Sequence, residues 1–79
     1  MSDKIPGTDI PKPEVELSGS DGNAGVVIGK VRLGLKRALR AGGQSAAEIK
    51  DLLGAFSAEA TSDDYNHVLE TCHDWVEVT

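Results

Sequence analysis

One stretch limits the folds open to this chain. From Ala24 to Leu39 the residues Ala24, Val27, Ile28, Val31, Leu35, Ala38 and Leu39 recur at the period of a helix with one apolar face. Both flanks support that reading. Upstream, Gly19 to Gly25 (GSDGNAG) supplies residues that tolerate positive φ, and Asp21 or Asn23 can accept hydrogen bonds from the first free N–H groups of the helix. Downstream, Arg40 and Ala41 lead into Gly42-Gly43, which puts a cation in the last turn and glycine at the C-cap. A helix over 24–41 is therefore the element on which the rest must pack.

The chain beyond this helix reads as two shorter ones. Ser45-Ala46-Ala47-Glu48 has capping-box spacing, and Ile49, Leu52, Leu53 and Phe56 then recur at i, i+3, i+4 and i+7, with an end near Ala60. Thr61 or Ser62 is expected to cap a third helix carrying Asp63 and Asp64 in its first turn and Tyr65, Val68, Leu69 and Cys72 on its inner face. Val15 to Ser18 alternates apolar and polar residues, as does Trp75 to Val78, so the two ends of the domain are expected to pair as a two-stranded sheet packed on a helix. Residues 1–14 hold Pro6, Pro11 and Pro13 and show no period, so they read as a flexible, disordered N-terminal arm dispensable for folding, which only Ile5 and Ile10 could anchor. The fold class is α+β: a small single domain over 15–79, strand-helix-helix-helix-strand.

A chain of 79 residues with one such core has no room for a deep catalytic pocket, which argues against an enzyme. The net charge of −5 disfavours indiscriminate binding to nucleic acid or anionic membranes, yet its distribution is uneven. The first helix carries Lys30, Arg32, Lys36, Arg37 and Arg40 and no acid, whereas Lys50 is the sole Lys or Arg after Gln44. The acidic helices are expected to lie beside the basic one and partly neutralise it. Cys72 stands alone, and nothing resembles a signal peptide or an apolar run of membrane length, so a reducing, cytoplasmic setting is expected, with no membrane.

Leu17, Gly19, Asp21-Gly22-Asn23-Ala24, Gly29-Lys30-Val31, Ala38-Leu39-Arg40 and Glu59 to Tyr65 match the pattern L-x-G-x-D-G-N-A, G-x-V, A-L-R and E-A-x-S-x-D-Y. In these residues the chain resembles a family of small bacterial and phage-encoded proteins with no established activity. That family commonly has a bulky residue after D-G-N-A, where this chain has Gly25. The resemblance implies the same domain boundaries and a phage or mobile-element origin, and it implies no mechanism.

The motifs that carry chemistry mostly dissolve on inspection. The glycine-rich turn before a helix invites a phosphate, but Ala24 and Val31 stand where a Walker loop needs glycine and Ser or Thr, and G-x-G-x-x-G spacing is absent. Asp63, His67, Glu70 and Asp74 form a stripe without good metal-ligand spacing, better read as a solvated face. Cys72 and His73 are neighbours in sequence and so point to different faces of a helix. No catalytic residue, metal site or cofactor site is therefore assigned.

The outer face of the first helix is different. Gly25, Val26, Gly29, Lys30, Arg32, Leu33, Lys36, Arg37 and Arg40 lie opposite the core arc. Glycine weakens a helix by about 1 kcal/mol relative to alanine, and apolar side chains among cations gain nothing from water, so an interface explains both. Val26, Gly29, Lys30, Leu33, Arg37 and Arg40 are the candidate partner-binding residues, unless the arm or the third helix covers them. An unknown protein partner is expected, or self-association as a weak homodimer. Nucleic acid bound by the cations is the alternative.

Overall fold

The computed structural model describes residues 3–17 and 23–79. Its elements keep the expected order: β1 (Glu14–Val15), α1 (Ala24–Ala41), α2 (Ala46–Ala60), α3 (Tyr65–Trp75) and β2 (Glu77–Val78). Of the expected glycine-rich turn, residues 19–22 lie outside the described residues, while Asn23 caps α1 and Ala24 and Gly25 are its first two residues.

The α1 helix begins where Asn23 Oδ1 accepts from Val26 N at 3.1 Å. It ends in a Schellman arrangement, with Gly43 N donating to Arg40 O at 3.1 Å and Gln44 N to Leu39 O at 3.0 Å. Gly43 holds φ at +87°, which a side chain would make costly. Val27, Val31, Leu35 and Leu39 are buried, and Ala24, Ile28 and Ala38 border them. Ser45 caps α2 by accepting from Glu48 N at 3.2 Å, and its hydroxyl donates to Glu48 Oε1 at 3.0 Å.

The third helix starts later than its composition suggests. Asp64, not Thr61 or Ser62, is its N-cap, accepting from His67 N at 3.0 Å. The two hydroxyls serve the preceding helix instead: Thr61 Oγ1 donates to Ser57 O at 2.7 Å and Ser62 Oγ to Glu59 O at 2.8 Å. They satisfy end carbonyls of α2 and are turned away from α3. Trp75, expected in the last strand, is the final residue of α3, where its ring meets Phe56 edge-on at 5.7 Å. The three helices pack on one another around the core.

The ends of the domain do pair. The strands run parallel in the register Glu14 with Glu77 and Val15 with Val78. Glu77 N donates to Pro13 O at 2.9 Å, Thr79 N to Val15 O at 3.0 Å and Leu17 N to Thr79 O at 3.2 Å. The β1 strand crosses α1 at Gly34, where an added Cβ would stand 2.7 Å from Val15 Cγ2, so the missing side chain permits the contact.

Residues 3–13 were expected to stand apart from the core as an arm, and the structure places them differently. Ile5-Pro6-Gly7-Thr8 forms a turn in which Thr8 N donates to Ile5 O at 3.0 Å and Gly7 has φ +79°, the type II combination of proline and then glycine. Ile5 N donates to Ile10 O at 2.9 Å, and Lys4 bridges Pro11 antiparallel. This small hairpin buries Ile5 completely, sets Ile10 against Gly42 and ties Lys12 Nζ to His73 O at 3.3 Å.

Candidate functional site

The outer face of α1 remains open among the described residues. Leu33 is 50% exposed and Val26 43%, the exposed large hydrophobic side chains of the described chain. An added Cβ at Gly29 would meet nothing within 4 Å. The hairpin, the arm that could have covered this face, docks instead at the C-cap of α1 through Ile10, beside Leu52 of α2 through Gly7 and on His73 of α3.

Four of the six expected residues, Lys30, Leu33, Arg37 and Arg40, gather around Leu33, where Leu33, Arg37 and Arg40 share one shallow depression with Lys36 and Ala41. Leu33 and Arg40 border a groove of about 550 Å³ between α1 and α2, whose other lining residues are Arg32, Lys36, Ala46, Ile49, Lys50 and Leu53. Leu33 also borders a smaller depression on the strand side, with Lys30, Gly34 and Arg37 facing Glu14, Val15 and Glu16. Val26 and Gly29 line neither. The groove's second wall went unrecognised in the sequence because it comes from α2. Its one available signal was Lys50, the single Lys or Arg after Gln44.

Expected neutralisation of α1 by the acidic helices is not seen as ion pairing. Glu59 and His67 approach to 3.7 Å, whereas Lys36, Arg37, Arg40 and Lys50 make no ion pair within 4.0 Å among the described residues. Arg32 donates to Ser57 Oγ on α2, which holds its guanidinium at one end of the groove.

Burial pushes the Cys72 thiol up to about 11, so it stays protonated and a poor nucleophile at neutral pH. His73, beside it in sequence, is exposed on another face of α3. The stripe Asp63, His67, Glu70 and Asp74 forms no group able to hold a metal among the described residues. His67 Nε2 is buried without a hydrogen-bond partner and makes only the long approach to Glu59. Thr71, the buried polar side chain, donates its hydroxyl to His67 O at 2.8 Å. Among the described residues no helix is long and apolar enough to cross a membrane.

No protein-family model, curated protein or solved structure matches the chain.

Proposed function

We propose that this domain is a non-catalytic protein-interaction module, of phage or mobile-element origin, that engages its partner through the outer face of α1. The observation that carries the reading is Leu33, half exposed on a helix whose apolar stripe is already fully used in the core. Around it Lys36, Arg37 and Arg40 have no carboxylate partner among the described residues and would steer and orient an acidic surface. Symmetric self-association through this face would oppose these three cations to their own copies, so a different protein is favoured over a homodimer. The family resemblance supports the origin alone.

The same cations favour nucleic acid as the second reading. A photo-crosslinking residue placed at Leu33 in the full chain separates the two. The expected result is crosslinking to a discrete protein that is lost on Arg40→Glu, with the circular dichroism spectrum unchanged. Crosslinking to nucleic acid, with affinity for a generic duplex falling steeply with salt and indifferent to Leu33→Ala, would overturn the proposal.

A further inference from the structure

The groove between α1 and α2 differs in charge from the cleft at the C-terminal strand. Its charged lining among the described residues is Arg32, Lys36, Arg40 and Lys50, with no carboxylate, in a chain whose net charge is −5. The cleft near the C-terminal strand, by contrast, is lined by Asp3, Asp74 and Glu77 with Lys12 and His73. Beneath the cations lie the exposed part of Leu33 and the edges of Ile49 and Leu53, with Ala46 leaving the floor low. Arg32, Lys36 and Arg40 succeed one another every four residues, so they stand about 6 Å apart along α1. That is the repeat at which a second helix presents its own residues four apart.

Building on the assignment of the α1 face as a protein-binding surface, we propose that this groove receives an acidic amphipathic helix of another protein. Its apolar stripe lies on Leu33, Ile49 and Leu53, and its carboxylates meet Arg32, Lys36, Arg40 and Lys50. The mode is helix-in-groove docking, in which apolar anchors supply contact and charge-assisted hydrogen bonds supply register. A second copy of this chain is a poor occupant. The outward residues of its acidic α3, Asn66, Glu70, His73 and Asp74, are polar and bring nothing to the floor. A polyphosphate backbone likewise leaves Leu33 without a contact.

The test uses the full chain, labelled with ¹⁵N, and a capped peptide of about 16 residues, long enough to span the cation row, with a leucine stripe flanked by glutamates. Saturable amide shifts are expected at Arg32, Leu33, Lys36, Arg40 and Lys50. Affinity should fall about tenfold or more in Leu33→Asp and in the double variant Lys36→Glu, Arg40→Glu, as loss of desolvated apolar and charged contacts requires. Peptides with lysine for glutamate, or serine for leucine, should not bind. Failure of the acidic peptide to bind, or equal binding by the lysine or serine peptide, overturns the groove proposal. Shifts confined to Val26, Gly29 and Lys30 overturn it too, while leaving the α1 face as an interaction surface. Displacement of the peptide by duplex DNA at physiological salt overturns both readings.

Discussion

The hairpin of residues 3–13 and the outer face of α1 both set isolated apolar side chains among polar ones, Ile5 and Ile10 in the first and Val26 and Leu33 in the second. Their fates are opposite, since Ile5 is fully buried and Leu33 half exposed. Backbone geometry accounts for the difference. On α1 the core stripe already occupies one side, and residues a half-turn away cannot reach it. In the hairpin the turn at Pro6-Gly7 aims single side chains without any period. An apolar residue outside a periodic pattern can therefore be an anchor or an interface, and the local turn chemistry decides which.

The sharpest way to break this comparison is to truncate its two members. Ile5→Ala should cost about 2–5 kcal/mol, a large part of the roughly 5–15 kcal/mol typical of a whole domain, whereas Leu33→Asp should stay within about 0.5 kcal/mol. Urea unfolding of both variants measures this. An Ile5→Ala midpoint equal to that of the native chain would mean that the hairpin is an appendage after all.

Cys72 sharpens the buried side. Its thiol is raised from 9.0 to about 11 by burial, so the folded state keeps a proton that the unfolded chain releases. Stability is unaffected below pH 9 and falls as pH rises between 9 and 11, by a total on the order of 2–3 kcal/mol. A Cys72→Ala variant, less stable at neutral pH, should lack this part of the alkaline slope. The same slope in both proteins would show that the thiol is not shielded from water.

The smallest effect separates two glycines of one helix. An added Cβ at Gly29 finds open space, while at Gly34 it would lie 2.7 Å from Val15 Cγ2. Alanine gains helix propensity at both, so the difference isolates packing: Gly29→Ala should exceed Gly34→Ala in stability by about 1–3 kcal/mol. Equal melting temperatures would mean that β1 does not press on α1.

How far the fold could be read from the chain depends on the kind of information periodicity carries. The bounds of α1 and α2, their buried faces and the pairing of the two ends were legible, because helical stripes and alternation state directly which side is apolar. The start of α3 was not, since Thr61 and Ser62 are good caps by type and only their hydrogen bonds to Ser57 O and Glu59 O show which helix they serve. The hairpin was missed because three prolines suggested an extended chain, although Pro6-Gly7 between Ile5 and Ile10 is itself a turn signal. At the candidate site the exposure of Leu33 and Val26 was readable from α1 alone. The groove was not, because a seam between helices depends on which faces meet, and no spacing within one element encodes that.

The parallel pairing of β1 with β2 also bears on how the molecule assembles in time. The neighbouring tie from Lys12 to the carbonyl of His73 joins residues 61 apart in the chain, and closing a loop of that length costs roughly 4 kcal/mol in chain entropy. The helices, whose bonds are local, can form and collapse before this closure is met. Docking of the two ends is thus expected to follow formation of the helices, because its contacts join residues distant in the chain.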